Sequence, residues 1–144
     1  EDVGGFFLSL DKLKRAASAI IKRFDVRGPN ADPRAAQLSG GNLQKYIVGR
    51  EIERNPALII VDQPTWGVDA RAAALIRQTL VDLAAAGAAV LIITQDLDEA
   101  FEMSDRIAVI SGGRLHSPVM TRLTNREAVG LLMTSHHHPL EEVA

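Results

Sequence analysis

No cysteine occurs in the 144 residues, so disulfides and thiolate metal sites are excluded, a composition that suits a reducing cytosol. No apolar run is long enough to span a bilayer: the longest, Ala84 to Ile93, reaches about ten residues against the roughly 20 required. Positive charge is not in excess; a formal net charge of −2 offers no basic face for nucleic acid. A basic-then-apolar secretory pattern is missing from the first residues, which points to an intracellular protein. Coiled-coil heptads, internal repeats and low-complexity tracts are absent as well. Nor does any Gly-x-x-x-x-Gly-Lys-Ser/Thr occur, the loop that cradles nucleotide phosphates. A start at Glu1 rather than at methionine reads as a fragment.

What is present describes one modest globular domain, 47% apolar and 24% charged. Residues 10–24 carry Leu10, Leu13, Ala17, Ile20, Ile21 and Phe24 on one helical face, with Ser9 as N-cap and Asp11 in the first turn. Gly28-Pro29-Asn30 and Asp32-Pro33 mark a loop. A second helix is expected over 41–54, burying Leu43, Ile47, Val48 and Ile52, and stopped by Asn55-Pro56. Residues 57–61 and 88–94 are continuously apolar, as strands buried on both faces of a parallel sheet are. Between them lies a helix over 69–86 that ends at Gly87. Asp96-Leu97-Asp98-Glu99 opens a short helix. Residues 107–110 form a third strand, Gly112-Gly113 a turn, and Leu115 the start of a fourth strand. Thr124 to Glu127 is read as a capping box for a last helix through Met133. Alternating strands and helices imply an α/β fold with a mainly parallel sheet and right-handed crossovers.

Chemistry concentrates in three places. In Leu38-Ser39-Gly40-Gly41-Asn42-Leu43-Gln44-Lys45, two glycines let backbone approach an anion, and Ser39 can cap the helix whose first N–H groups point forward. Past Ser39 by 23 positions, the apolar run ends at Asp62, followed by Gln63-Pro64-Thr65-Trp66-Gly67-Val68-Asp69. A carboxylate at the carboxyl end of a buried strand needs a cation or donors. The next apolar run ends in Thr94-Gln95-Asp96. Asp69 also reads as the N-cap of the following helix, and Trp66 as an interface or packing residue rather than a base-stacking platform. His136-His137-His138 reads as part of a solvated tail.

Together these stretches resemble the second half of an ABC-type ATPase domain: signature motif, Walker B strand, D-loop and switch loop, in that order. Asn42 in the signature and the Gln-Pro-Thr-Trp-Gly-Val-Asp run resemble the ATPase subunits of sugar and nucleoside importers, which fuse two ATPase domains in one chain; Gln63 and Trp66 favour the nucleoside branch. The resemblance implies a partial P-loop NTPase fold without its phosphate-loop half. It makes residues 1–38 part of the helical subdomain, 39–123 part of the core, and 124–144 a C-terminal helix and tail. The cofactors it implies for the full-length protein are ATP and Mg²⁺, with Ser39, Gly40, Gly41, Asn42, Asp62, Gln63, Asp69 and Gln95 as binding residues and Asp62 holding Mg²⁺ through water. None is expected on the isolated chain.

Two positions depart from the family pattern. Gln63 stands where a glutamate polarises the attacking water, and Gln95 where a histidine contacts the γ-phosphate; an amide orients water but cannot take its proton. The resemblance therefore implies a degenerate site here, with Ser39-Gly40-Gly41 completing the ATP site of the first ATPase domain. Its other implied partners are membrane permease subunits, at the cytoplasmic face, and no nucleic acid. An ABC-type ATPase of DNA maintenance or translation, or a non-catalytic interaction module, are the alternatives. In the family's sheet the strand before the phosphate loop lies between 88–94 and 106–110. The gap is expected to close by direct pairing of those two runs, or by a strand from another copy in a homo-oligomer.

Overall fold

The computed structural model of the chain describes residues 9–30 and 32–134. These form two compact units, one ending at Ile93 and the other beginning at Thr94.

The first unit contains helices α1 (Leu10–Arg23), α2 (Gly40–Glu53) and α3 (Ala70–Ala85), with strands β1 (Leu58–Asp62) and β2 (Ala89–Ile93). Each begins where local chemistry places it. Ser9 Oγ accepts the Lys12 N–H at 3.4 Å to open α1. Asp69 Oδ1 accepts the Ala72 N–H at 2.9 Å to open α3. Asn55 at φ 47° ends α2, and Gly87 at φ 103° turns the chain from α3 into β2. β1 and β2 pair in parallel, with Leu58 opposite Ala89 and Asp62 opposite Ile93. The core gathers Ile20, Phe24, Val48, Ile52, Ile59, Val61, Ile76 and Leu80. Ile76 and Leu80 are almost wholly enclosed, each contributing about 1.5–3 kcal/mol of transfer free energy.

Three expectations need correction here. The stripe of α2 is rotated: Lys45, Val48, Gly49 and Ile52 are buried, while Ile47 is exposed and Leu43 half-buried. On α1 only Ile20 is buried, and Leu10 and Leu13 are exposed. The strands are not covered on both faces. Ile59 and Val61 are buried, but Leu58, Ile60, Leu91 and Ile93 on the opposite face are 47–60% exposed. Helices α2 and α3 contact the sheet. A groove of about 590 Å³ also opens along β1, lined by Gln44, Ile47, Glu51 and Arg54 of α2.

The second unit contains α4 (Leu97–Met103), β3 (Arg106–Ile107), β4 (Ile110–Ser111), β5 (Arg114–Leu115), β6 (Val119–Met120) and α5 (Arg126–Thr134). Its core is Ile107, Val109 and Val129, flanked by Leu97, Ala100 and Phe101. The single strand expected over 107–110 is two short pieces. Residues 106–107 pair antiparallel with β6, and 110–111 with β5 across the Gly112-Gly113 turn. Different partners at its two ends interrupt the run. Asn125, not Thr124, caps α5: its Oδ1 accepts the Ala128 N–H at 2.8 Å.

Among the described residues β2 pairs with β1 alone and β3 with β6 alone. The expected direct pairing of 88–94 with 106–110 is therefore not formed; an antiparallel neighbour satisfies β3 instead. His136-His137-His138 lie outside the described residues.

Candidate functional site

Ser39 occupies the N-cap position of α2, exposed, at φ −64° and ψ 158°. Its backbone carbonyl accepts the Leu43 N–H at 2.8 Å, but its side chain makes no capping bond. The hydroxyl oxygen instead accepts the Asn42 side-chain N–H at 2.8 Å. Asn42 Oδ1 in turn accepts the Arg27 backbone N–H at 2.7 Å. The side-chain cap expected of Ser39 is thus replaced by a chain of bonds running from the loop after α1.

The two glycines do different work. A side chain at Gly41 would run into the Gly67 carbonyl oxygen, so Gly41 is required by the molecule's own packing. A Cβ at Gly40 would meet nothing within 4 Å. Nothing described in this chain demands glycine there.

The loop after β1 is fastened to the same helix. Gln63 sits at φ 48°, its N–H donating to the Ile93 carbonyl at 2.8 Å and its carbonyl accepting from Trp66 N–H at 3.0 Å. The Gln44 side-chain amide lies 3.2 Å from the Gln63 carbonyl oxygen and 3.3 Å from that of Pro64. Gly67, at φ 70°, makes the turn that brings its carbonyl against Gly41. Trp66 is 74% exposed, so it does not pack within the described residues.

Lys45 completes the fastening. Its side chain is 6% exposed, and its ammonium donates to Asp69 Oδ2 at 2.9 Å and to the Asp25 carbonyl at 3.1 Å. An unpaired charge at that depth would be costly, so the pair ties three segments into one body. Asp69 is held down to about pKa 2, first by the Ala72 backbone N–H and then by the Lys45 ammonium. Asp25 is lowered as well, chiefly by its hydrogen bond from Arg27.

Of the residues singled out from sequence, Ser39, Gly41, Asn42, Gln63 and Asp69 are joined by these contacts, with Gly40 between them. Asp62 ends β1 with its carboxylate exposed. Gln95 is exposed immediately before Asp96, whose carboxylate caps α4, and it belongs to the second unit. Gln44 and Lys45 were missed by sequence reasoning. The signal for Lys45 was its place three residues before Val48 and seven before Ile52, on the stripe that α2 buries. Among the described residues no group of three or more His, Cys, Asp or Glu could hold a metal by itself. No described helix is long and apolar enough to cross a membrane.

The chain is 44% identical over 127 residues to a nucleoside import ATP-binding protein of Lactococcus lactis. It is 42% identical over 138 residues to a glucose import ATP-binding protein of Haloferax volcanii, and 43% over 122 residues to a guanosine import ATP-binding protein of Bacillus subtilis. These matches cover 88%, 93% and 85% of the chain, which spans about a quarter of the length of each relative. A dimeric, post-hydrolysis ATP-binding cassette solved with ADP and Pi matches 81% of this chain and 50% of its own, with 27% identity and a TM-score of 0.69. The ATP-binding subunit of an ABC transporter matches 90% and 57%, with a TM-score of 0.72; at 21% identity it speaks for the fold alone. No protein-family model matches the chain.

Proposed function

The chain belongs to the import ATP-binding proteins of ABC transporters and has part of their ATPase fold, and from that footing we propose that it serves the energy-coupling subunit of an importer for a nucleoside or a sugar. Its turn at Ser39-Gly40-Gly41 completes an ATP site whose phosphate loop lies on a partner domain. The observation that carries this reading is the exposed N-terminus of α2, where Ser39 is not spent on capping and Gly40 faces open space. The nucleoside branch is preferred on Gln63 and Trp66, and two of the three relatives named above are nucleoside or guanosine proteins.

The residues fit the cofactors this implies. Ser39 and the first N–H groups of α2 offer donors to a phosphate. Asp62 offers one exposed carboxylate that would hold Mg²⁺ through water in the complete domain. ATP, when bound, supplies the phosphoanhydride whose cleavage drives transport. Gln63 and Gln95, as amides, orient water but accept no proton, so this domain's own site is the degenerate one. The reading further places residues 1–38 in the helical subdomain, 39–123 in the ATPase core, and 124–144 in a C-terminal helix and tail. It joins the chain to a first ATPase domain in the same polypeptide and docks it to permease subunits at the cytoplasmic face of the membrane. The exposed Trp66 is an interface residue on this reading.

In the full-length protein, Ser39→Arg should abolish hydrolysis through bulk and lost donors. Gln63→Ala should change turnover little: the residue has no proton-accepting role, and its backbone bonds survive the substitution. Equal losses in steady-state hydrolysis from the two variants would refute the assignment of the degenerate site.

A further inference from the structure

The Asn42 side chain has its orientation dictated from both ends. The Arg27 backbone N–H can only donate, so the atom facing it at 2.7 Å is Oδ1. The amide nitrogen is then turned toward Ser39, and at 2.8 Å from Oγ it too can only donate. Ser39 Oγ must therefore accept, and its own proton is directed elsewhere. Held by Asn42, the oxygen stays out of the capping position, where it would accept a backbone N–H of α2, and Ser39 makes no such bond. The N–H that such a cap would consume is left uncommitted at the start of α2, beside the exposed Ser39 hydroxyl and the open space over Gly40.

We propose that Asn42 is a positioning residue that holds the Ser39 hydroxyl off the N-cap of α2, leaving the first N–H groups of the helix and the Ser39 O–H free for phosphate oxygens. The inference rests on the reading that this turn meets a nucleotide phosphate. It adds a division of labour within the motif: Ser39 and the first α2 N–H groups touch the phosphate, and Asn42 keeps the Ser39 oxygen from capping one of those N–H groups. Without Asn42 the hydroxyl is released to rotate into the ordinary capping position, where its oxygen takes up a backbone N–H of α2 that would otherwise face the phosphate. The helix keeps or improves its cap while the receptor loses a donor, so stability and activity move independently.

The test is a double-mutant cycle in the full-length protein, read as ATP hydrolysis across ATP concentrations, with thermal melting of each variant. Ser39→Ala keeps the backbone donors and should lower kcat/KM about tenfold, the size of a lost hydrogen bond to a charged group. Asn42→Ala should lower it by a similar factor with no fall in melting temperature. Added to Ser39→Ala, the Asn42→Ala substitution should have no further effect, because there is no hydroxyl left to orient. Independent losses that multiply in the double variant, or an Asn42→Ala protein with wild-type kcat/KM, overturn the role of Asn42 while leaving the functional reading standing. An unaffected Ser39→Ala protein overturns both.

Discussion

Asp69 does two jobs with one carboxylate, capping α3 through Oδ1 and neutralising Lys45 through Oδ2. Its folded-state pKa of about 2 lies below the ordinary 3.8. A depressed carboxylate stabilises the fold fully above its unfolded value, and that contribution is lost as pH falls from about 4 through about 2. Because the side chain is 59% exposed, water screens much of the effect. Asparagine is also a good N-cap, so Asp69→Asn keeps the cap and removes the charge. The variant should melt lower at pH 7, where the Lys45 ammonium loses its counter-charge, and should lose less stability between about pH 4 and 2. Melting curves across that range that run parallel to wild type would show the pair to be without energetic consequence.

At the scale of elements, α2 is the organiser. Its first turn meets the loop after β1, its middle meets Asp69 and Asp25, and its last half receives α1. The α1–α2 contact depends on Gly49, where a Cβ would come within 2.6 Å of Phe24 Cδ2 and 3.0 Å of Ile20 Cγ2. Alanine is the better helix former by about 1 kcal/mol. Overpacking a full site costs about 1–3 kcal/mol, and Phe24 is buried to 1% exposure with no room to withdraw. Gly49→Ala should therefore destabilise the chain by about 1 kcal/mol, measurable as a lower urea midpoint. A raised midpoint would mean that α1 shifts freely and is only loosely docked. An ion pair between Arg23 and Glu53 joins the same two helices, but its exposed position makes it worth little.

At the scale of the whole molecule, the sheet is incomplete. The apolar face of Leu58, Ile60, Leu91 and Ile93 is exposed, β2 has one strand neighbour among the described residues, and a groove runs beside β1. Apolar faces flanked by free strand edges drive association. The isolated chain should self-associate at micromolar concentrations, and Ile60→Lys with Leu91→Lys should reduce that association; light scattering distinguishes the two. A wild-type chain that stays monomeric would show that the face tolerates water. The same incompleteness bears on nucleotide. With no phosphate loop to supply most of the backbone donors, the isolated chain should bind ATP–Mg²⁺ negligibly. Calorimetric titration giving micromolar affinity would contradict this.

Helix and strand positions in the first unit were readable from residue order, because caps such as Ser9 and Asp69, stops such as Asn55-Pro56 and Gly87, and the unbroken apolar runs act over a few residues. The family was readable for the same reason, its motifs being short and ordered along the chain. The burial of Lys45, the turning of Ser39 away from its helix and the one-sided covering of β1 and β2 were not. Each depends on a partner far along the chain: Arg27 for Asn42, 15 positions away; Asp69 for Lys45; α3 for the sheet. A continuously apolar strand reads as covered on both sides, whereas its actual covering depends on which elements pack against it. The splitting of 106–111 between β6 and β5 has the same origin, since hydrogen-bonding partners across strands are chosen by the folded arrangement and not by the run itself.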